Sequence, residues 1–393
     1  SGHSRGVMLT HGNLVAIIPH NYFNLCPADS YLNLLPLAHI FPLQIALFTL
    51  SHGVRQIYLH DLTRISEVCM EYHPTGMIVV PRILEKVLEK MKERLETLEG
   101  WRKKLGVWAL DLAFRPRSMV RMLLRPFADF FVYRKLRQGL GGKMRVIING
   151  GATLNPSLQR ALNSMGFPIF QGWGLTEAST VTVNRFGNNK EGTVGKPYPG
   201  TVIKISTHGE VLVRGPTVMK GYYKDPVATA EAIDEKGWLH TGDIGSIDRR
   251  GRLKIIGRLS DSFKNSRGQY IIPSPIEEKL RSYPLIDYTL ITGENEPFVT
   301  ALLFPSVAEL DKLRGDMSPE EFLKSPLFQR EVDQIIREVN TTLDEWERIR
   351  DYRFILEPPT LANGELTPTL KLRRQLVLGK HKGLISSLYQ SAH

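Results

Sequence analysis

The chain has 393 residues, of which 42% are hydrophobic and 23% charged, a composition typical of a globular protein with more than one hydrophobic core. It excludes an intrinsically disordered, collagen-like or low-complexity chain. The formal net charge of +11 favours anionic partners without identifying them. The two cysteines, Cys26 and Cys69, exclude a disulfide framework and fit a reducing, cytoplasmic setting. The apolar run 31–50 is interrupted by prolines and polar residues, so no membrane-spanning helix is predicted there.

The N-terminal part of the chain alternates strands and helices in the manner of a parallel α/β sheet. A helix is predicted to begin at Met8, with Thr10 or Asn13 as its cap. The strands that follow are predicted at 31–41 (running into a loop), 54–60, 76–80, 144–149 and 167–171, with helices over 62–72 and 155–165. The last two strands each end in glycines, which places candidate binding turns at strand ends.

Residues 81–140 form a mainly helical insert that carries most of the positive charge. Ile83, Val87 and Met91 recur at four-residue spacing, which predicts an amphipathic helix at its start. Between residues 102 and 137 ten basic residues are opposed by two acidic ones, so this segment carries +8 of the net +11. Apolar residues interleave with these cations, as in an interfacial membrane-binding helix, although an ordinary helical core fits as well. No recognisable nucleic-acid-binding module is present, so a nucleic-acid partner is not predicted.

From about residue 190 the pattern changes to short alternating runs separated by glycine and proline. These runs predict a small antiparallel β subdomain over about 190–257. After Arg258 a turn-rich segment opens a final α+β region, with strands near 287–291 and 298–304 and helices near 319–345.

Four short segments combine glycines with side chains suited to binding a nucleotide. Glycines at strand ends leave backbone N–H groups open to phosphate or a base. The first segment, Asn149-Gly150-Gly151-Ala152, is of this kind, although a simple tight turn explains it as well.

The second segment, QGWGLTE (171–177), places an aromatic ring, a hydroxyl and a carboxylate within seven residues. Trp173 is suited to stacking on a base, Thr176 to binding phosphate, and Glu177 to holding a divalent cation, which prefers hard oxygen ligands. A turn with a core tryptophan is the alternative interpretation.

The third segment, WLHTGD (238–243), ends in Asp243, whose carboxylate suits the two hydroxyls of a ribose. The fourth, Gly257-Arg258, supplies a planar donor fork for ribose or phosphate oxygens. Each segment alone is weak evidence, but the ordered series of four is specific.

With these segments the sequence closely resembles the adenylate-forming superfamily of acyl-CoA synthetases, luciferases and peptide-synthetase adenylation domains. Within it, the resemblance is to the long-chain fatty acyl-CoA and acyl-ACP synthetases, and it covers essentially all 393 residues. The segments that carry it are GVMLTHGN (6–13), LPLAHIF (35–41), VPRILEKV (80–87), GGATLNP (150–156), QGWGLTEAS (171–179), GTVGKPYPG (192–200), GEVLVRGPTVMKGYY (209–223), WLHTGDIG (238–245) and LTPTLKLRR (366–374).

The resemblance implies an α/β fold in two domains. Residues 1–258 would form most of a large adenylating domain, with parallel sheets, flanking helices and the small antiparallel β subdomain. Residues 259–393 would form a smaller α+β C-terminal domain that acts as a mobile lid.

The same resemblance implies the nucleotide-binding residues. They are Gly2, Arg5, Gly150, Gly151, Ala152, Gln171, Gly172, Trp173, Gly174, Thr176, Asp243 and Arg258. Within this set Thr176 would contact the α-phosphate, and Asp243 and Arg258 would hold the ribose. Glu177 would bind the magnesium ion.

The implied catalytic residues are Lys371, Glu177, Thr176 and Lys264. Lys371 lies in the late motif and would bridge carboxylate and phosphate oxygens as charge develops. Lys264 matches a second lysine that some relatives use in the second half-reaction, although an ordinary surface lysine is an equal alternative. His39 would line the acyl-carboxylate end of the pocket, and Ser260 occupies the hinge, where relatives usually carry Asp or Lys.

The implied reaction is ATP-dependent activation of a long-chain fatty acid to an acyl-adenylate, followed by transfer to a thiol. The implied cofactors are ATP, Mg²⁺ and coenzyme A, with the phosphopantetheine of acyl carrier protein as the alternative carrier. A non-catalytic nucleotide-binding fragment is the alternative of another class. We expect a cytoplasmic protein that associates peripherally with membranes through residues 102–137.

One departure from the family pattern concerns the early phosphate-binding loop. The chain begins inside this loop, so that Gly2 aligns with its last glycine and Arg5 with its lysine. The hydroxyl-rich half of the loop and roughly one further N-terminal domain are missing. We therefore expect this chain alone to adenylate poorly, and measurable ATP–pyrophosphate exchange would contradict that expectation.

Overall fold

The computed structural model describes residues 5–367 and 372–390, which fold into two compact units. The first unit comprises Ser1–Thr241 and Gly245–Ile255, and the second comprises Gly242–Ile244 and Ile256–His393. Each unit buries its own clusters of apolar side chains, as a chain of this length requires.

Strands of the chain up to residue 258 form one large and two small sheets. They are β1 (Val7–Met8), β2 (Ser30–Asn33), β3 (Arg55–Tyr58), β4 (Gly76–Val79), β5 (Val146–Asn149), β6 (Ile169–Leu175), β7 (Ser179–Val183), β8 (Lys196–Pro197), β9 (Val202–Ile205), β10 (Glu210–Arg214), β11 (Gly221–Tyr222), β12 (Leu239–Ile247) and β13 (Leu253–Arg258). The large sheet has the order β3-β2-β4-β5-β6-β7-β8. Its first five strands are parallel, and β7 and β8 are antiparallel to their neighbours.

Helices cover both faces of this sheet. They are α1 (His11–Val15), α2 (Ile40–Ser51), α3 (Ile65–Tyr72), α4 (Pro81–Glu96), α5 (Gly100–Phe114), α6 (Met119–Ala128), α7 (Arg134–Gln138), α8 (Pro156–Ser164) and α9 (Pro226–Ala232), and a π-helical turn, Asp129–Tyr133, joins α6 to α7. Successive residues of β5 face opposite sides of the sheet. Ile147 packs with α4, α5 and α8, and Ile148 packs with α2. Burial on both faces explains the continuous apolar runs of the central strands.

The small four-stranded sheet has the order β13-β12-β10-β9, and its predicted position after residue 190 is confirmed. Gly242–Ile244 of β12 and the end of β13 count with the second unit. Near the start of the chain, β1 pairs antiparallel with β11, with Val7 opposite Tyr222. This pairing brings the residues beside Arg5 to the distant segment around Tyr222.

The rest of the second unit is an α+β structure, as predicted. Its elements are β14 (Phe263–Lys264), β15 (Tyr270–Ile271), α10 (Pro273–Leu280), β16 (Ile286–Thr292), β17 (Val299–Pro305), α11 (Val307–Leu313), α12 (Pro319–Leu323), α13 (Pro326–Asn340), β18 (Ile349–Phe354), α14 (Arg374–Lys380) and α15 (Lys382–Gln390). Every residue of β17 is buried between β16 and β18. Two apolar clusters pack against this sheet, one of which includes α10 and α13.

Three predicted local conformations are wrong. The helix predicted to begin at Met8 begins at His11, because Met8 pairs in strand β1. The strand predicted at 31–41 is β2, which is followed by a loop, and helix α2 begins at Ile40. Gly172-Trp173-Gly174 continues strand β6 rather than forming a turn, and Asp243 lies within strand β12 rather than in a turn. Glycine also occurs within strands, as at the bulge of Gly174, so its presence did not identify a turn.

The described residues contain no helix that combines the length and the apolar character needed to cross a bilayer.

Candidate functional site

Two consecutive glycines after β5 form the first predicted nucleotide-binding turn. The N–H of Gly150 donates to the carbonyl of Val79 at 3.2 Å, which fixes the turn to strand β4. A Cβ added at Gly150 would lie 2.5 Å from the ring of Phe41, and Gly151 has a φ of +76°. Both positions therefore favour glycine, one for space and one for conformation. Ala152 follows as a half-buried residue.

The buried side chain of Gln171 holds this turn in place through two hydrogen bonds. It is 2% exposed, its Nε2 donates to Gln159 Oε1 at 3.0 Å, and its Oε1 accepts from the N–H of Leu154 at 3.3 Å. Both ends of the amide are thus used inside the protein, and Gln171 ties the turn to helix α8. Its contact with a nucleotide stays a prediction, whereas its positioning role is visible.

The GWG segment lies in the ladder between β6 and β7. Gly172 pairs with Val183, and the register shifts between Trp173 and Gly174. A Cβ at Gly174 would collide with the carbonyl oxygen of Ser179, so the bulge requires glycine. Trp173 is 9% exposed and packs in an apolar cluster. This is the packing of a core tryptophan, and stacking on a base stays a prediction.

Thr176 and Glu177 form the turn between β6 and β7. Thr176 is exposed and Glu177 is half-buried. The phenol of Tyr222 donates to Glu177 Oε1 at 2.9 Å, and the Glu177 carbonyl accepts from the N–H of Met219 at 2.7 Å. The predicted magnesium ligand is therefore held by both its side chain and its backbone.

Arg5 extends this arrangement. Its guanidinium carbon lies 5.2 Å from the centre of the Tyr222 ring, and its Nε lies 3.9 Å from Asp225 Oδ2. Burial of Tyr222 and the negative charge of Glu177 raise the pKa of the Tyr222 phenol, and Arg5 opposes the shift. The structure thus joins Arg5 and Glu177, 172 positions apart, through Tyr222. The role of Tyr222 was missed, although it lies in the quoted segment 209–223.

Helix α2 connects the predicted acyl end of the site to β7. His39 is exposed at the N-cap of α2, two residues before the Phe41 ring that packs on Gly150. Gln44, 1% exposed, accepts from the N–H of Thr180 at 2.8 Å and donates to the carbonyl of Leu14 at 3.2 Å. Sequence analysis did not identify Gln44, which appeared only as an interruption of an apolar run.

Within the second unit, Asp243 and Arg258 form an ion pair. Arg258 Nε lies 2.8 Å from Asp243 Oδ1, with the aspartate side chain 7% exposed and the arginine side chain 53% exposed. Neighbouring strands β12 and β13 place the two residues side by side. The pair predicted for ribose binding is therefore assembled.

The other predicted residues either lie in the second unit or fall outside the described residues. Ser260 is exposed in a 3₁₀ turn, Leu259–Asp261, and its hydroxyl donates to Asp261 Oδ1 at 3.3 Å. The Nζ of Lys264 lies 5.6 Å from the centre of the Tyr270 ring. Gly2 and Lys371 lie outside the described residues.

Two groups of predicted residues therefore emerge. In the first unit the turns after β5 and β6 lie at the same edge of the sheet, because these parallel strands pair with Asn149 opposite Gln171. The second unit holds the Asp243–Arg258 pair and Lys264. Among the described residues no group of three or more His, Cys, Asp or Glu side chains is arranged to hold a metal ion.

Comparison with protein families gives two matches. The family described as AMP-binding enzyme matches residues 1–223, and the family described as AMP-binding enzyme C-terminal domain matches residues 261–393. A long-chain-fatty-acid–CoA ligase of Mycobacterium bovis is 31% identical over 413 residues, covering 99% of this chain and 68% of the relative. Long-chain-fatty-acid–CoA ligase 1 of Homo sapiens is 30% identical over 423 residues, covering 100% of this chain and 60% of the relative.

Solved structures share the fold at lower identity. ATP-bound MatB from Rhodopseudomonas palustris matches with a TM-score of 0.71 and 21% identity, over 98% of this chain and 67% of that chain. The A-PCP didomain of a carboxylic acid reductase from Segniliparus rugosus, in complex with AMP, matches with a TM-score of 0.72 and 23% identity, over 98% and 52% of the two chains.

Proposed function

Because the chain belongs to the AMP-binding enzyme family, we propose that it serves ATP-dependent activation of a long-chain fatty acid and transfer of the acyl group to coenzyme A. One observation supports the proposal: Arg5 and Glu177, distant in sequence, are joined through Tyr222, and Glu177 follows strand β6, the parallel neighbour of the strand β5 that ends in the GGA turn. The names of the relatives, which are long-chain-fatty-acid–CoA ligases, support the substrate class.

The reaction has two steps. A carboxylate oxygen of the fatty acid attacks the α-phosphorus of ATP, the bond to the β-phosphate breaks, and pyrophosphate leaves. The thiol sulfur of coenzyme A then attacks the acyl carbonyl, AMP leaves, and the thiol proton is released. Both steps concentrate negative charge on phosphate oxygens, so a preorganised set of donors and cations is what the site must supply.

Glu177 fits the magnesium ion that the family implies. Mg²⁺ keeps several waters and is commonly held by one or two carboxylates together with substrate phosphates. A single half-buried carboxylate, oriented by the Tyr222 hydroxyl at 2.9 Å, meets that requirement. Bound there, the ion would neutralise charge on the phosphates. Thr176, exposed beside it, would donate its hydroxyl to an α-phosphate oxygen.

Two sets of predicted residues would contact the adenosine. The Gly150-Gly151 turn offers open backbone beside the base, and Gln171 keeps that turn in place. The buried Asp243 carboxylate can accept from ribose hydroxyls, and Arg258 at 2.8 Å holds that carboxylate in position.

The remaining assignments rest on the family resemblance. His39 would lie at the carboxylate end of the acyl pocket, close to the turn that Phe41 contacts. Lys371 would neutralise phosphate charge in the first step, and Lys264 would act in the second step. Ser260 would lie at the hinge. Coenzyme A is preferred over acyl carrier protein because the relatives are CoA ligases by name. A cytoplasmic location and peripheral membrane association stay predictions.

A non-reactive acyl-adenylate analogue tests the proposal directly. A hexadecanoyl analogue with a sulfamate in place of the phosphate lacks β- and γ-phosphates, so its binding does not depend on the early phosphate loop. We expect calorimetry to show binding to the 393-residue chain, weakened at least about tenfold by Asp243→Asn because a hydrogen bond to a charged acceptor is lost. The matched control is Asp311→Asn, which breaks an exposed pair with Arg314 at 2.7 Å and should leave the affinity unchanged.

Two results would contradict the proposal. One is no binding of the hexadecanoyl analogue to the wild-type chain. The other is equal binding by wild-type protein and Asp243→Asn. Replacing the hexadecanoyl group by acetyl separates adenylate recognition from chain-length preference, since a long-chain ligase should bind the acetyl analogue less tightly by the lost apolar burial. Supplying either coenzyme A or holo acyl carrier protein with ATP and a long-chain fatty acid, and measuring the thioester formed, identifies the thiol.

A further inference from the structure

Helix α6 and the π-helical turn after it expose an apolar stripe to solvent. We define the apolar stripe as Met119, Met122, Leu123, Phe127 and Phe130, which recur at helical spacing and so share one side. Their exposed fractions run from 52% to 73%. Surface helices ordinarily turn such a stripe toward the core, so this orientation requires an explanation.

The opposite side of α6 carries two arginines that bond to the protein. Arg121 is 7% exposed, and its Nη1 donates to the carbonyl of Arg115 at 2.5 Å. Arg125 is exposed, but its Nε donates to the carbonyl of Ser164 at the end of α8, at 2.9 Å. The helix is therefore attached through arginine hydrogen bonds to backbone carbonyls, and its apolar stripe is left exposed.

Aromatic rings stiffen the exposed end of the stripe. The ring centres of Phe127 and Phe131 are 4.6 Å apart, and those of Phe130 and Phe131 are 4.9 Å apart. Trp108 of α5, half-buried, meets Phe127 at 6.0 Å. The rings thus form one continuous exposed group anchored to the insert, which differs from singly scattered surface hydrophobics.

Exposed cations lie next to this group. Arg134 and Lys135 begin α7, three to five residues after the Phe130–Phe131 pair, which places them within one helical turn of it. A second exposed set, Trp101 with Arg102 stacked over its ring at 5.7 Å, opens α5. Apolar and aromatic side chains bordered by cations are the composition of helices that lie in the interface of an anionic bilayer.

We propose that the apolar stripe is a membrane-docking surface that inserts at the headgroup boundary of a bilayer containing anionic lipid. Arg134 and Lys135 would then lie at the level of the headgroups. The proposal for this surface depends only on the contacts and exposures above. Docking would also bring the enzyme to the membrane, where long-chain fatty acids partition, and this consequence rests on the proposed function.

Vesicle flotation of the purified chain tests the surface. Probes are vesicles of phosphatidylcholine alone and of phosphatidylcholine with 30% phosphatidylserine. We expect stronger binding to the anionic vesicles and a loss of at least roughly tenfold in the variant Met122→Ser/Leu123→Ser/Phe130→Ser, because each large side chain contributes apolar burial. All three positions are exposed, so the variant should fold, which circular dichroism would check.

A matched control replaces equally exposed apolar residues elsewhere. Val227→Ser/Leu327→Ser alters side chains that are 70% and 63% exposed, in helices α9 and α13, and should leave vesicle binding unchanged. Arg134→Gln/Lys135→Gln should reduce binding to the anionic vesicles toward the level seen with phosphatidylcholine alone. The first result shows that position matters beyond hydrophobicity, and the second identifies the electrostatic part.

Three outcomes would overturn the proposal. Wild-type protein fails to float with either vesicle, or the stripe variant floats as well as wild type. In the third, the protein does not bind vesicles, and light scattering shows a dimer that the stripe variant no longer forms. That result would assign the stripe to a contact with a second copy of the chain. Binding of the acyl-adenylate analogue is measured without vesicles, so failure of the membrane surface and failure of the proposed function are distinguishable.

Discussion

Gly150→Ala should destabilise the first unit through one defined collision. The added Cβ would lie 2.5, 2.7 and 3.0 Å from Cζ and the two Cε atoms of Phe41, whereas ordinary contact begins at 3.4 Å. The ring must therefore move by about 0.9 Å at its nearest atom. Gly150 is absent from the glycines with positive φ, so the backbone itself tolerates alanine. Overpacking of this size costs about 1–3 kcal/mol, and each kcal/mol lowers the melting temperature by roughly 2–4 °C in a domain of this size.

Thermal unfolding of a double-mutant cycle measures the collision. Phe41→Leu removes the ring atoms that meet the new methyl group, so Gly150→Ala should cost less in its presence, with a coupling energy of about 1 kcal/mol or more. The acyl-adenylate analogue gives a second readout, since its affinity should fall in Gly150→Ala and recover partly in the double variant. Gly379→Ala is the control, because nothing lies within 4 Å of its added Cβ and helix α14 should gain slightly from alanine.

Additive effects of Gly150→Ala and Phe41→Leu would refute the reasoning. So would a melting temperature of Gly150→Ala that matches wild type. Either result would mean that the two motifs, HIF and GGA, are not packed as described, and the predicted position of His39 near the adenylate would lose its support.

Three further changes test other parts of the molecule. Tyr222→Phe removes the hydroxyl that orients Glu177, so calorimetry should show MgATP affinity falling by roughly tenfold while the acyl-adenylate analogue binds normally. Hydrogen bonds from Arg145 hold the pKa of Asp29 at about 2, below its unfolded value, so its ionised form stabilises the fold above about pH 4 and that contribution of about 2 kcal/mol is lost toward pH 2. Urea unfolding of Asp29→Asn should show a flatter acid limb. Gly174→Ala would collide with the backbone of β7, so near-ultraviolet circular dichroism should show loss of native packing.

Each of these has its own control and its own contradicting result. Tyr223→Phe, at an exposed position next to Tyr222, should not change MgATP affinity, and an equal loss in both would remove the argument. Asp311→Asn should leave the acid dependence of stability intact, so an unaltered acid limb in Asp29→Asn would contradict the pKa assignment. A cooperative, wild-type-like transition in Gly174→Ala would show that the bulge has more room than described.

The central strands of the parallel sheet followed well from the sequence because their signals are local. Runs such as 76–80 and 144–149 are apolar on both faces, and only a central strand between two helical layers buries both faces. The predicted cap Thr10 is confirmed, with Asn13 completing a capping box. The Asp243–Arg258 contact was not predicted, although both residues were assigned to the ribose, because it depends on the pairing of neighbouring strands.

Helix α2 was not predicted, because it is apolar on nearly every side. Periodicity cannot separate a fully buried helix from a strand when no polar side alternates with the apolar one. Its buried Gln44 hydrogen-bonds to backbone groups of β7 and α1, and these partners are distant in sequence. The contacts that join Arg5 to Glu177 through Tyr222 were missed because they depend on a long-range pairing. Strand β1 pairs with β11, more than 200 positions away.

The net charge of the helical insert overstated its electrostatic surface and did not reveal its exposed apolar stripe. The net +8 of residues 102–137 suggested an electrostatic surface, but Arg121 and Arg125 are used in hydrogen bonds to backbone, and Arg137 pairs with Asp129 at 2.6 Å. The cations next to the stripe, Arg134 and Lys135, contribute about 1 kcal/mol each near an anionic membrane. Membrane affinity should therefore depend mainly on the apolar stripe, and salt should remove only the smaller part that Arg134 and Lys135 contribute. A steep loss of vesicle binding with added salt would contradict this division, because screening weakens charge interactions and leaves apolar burial in place.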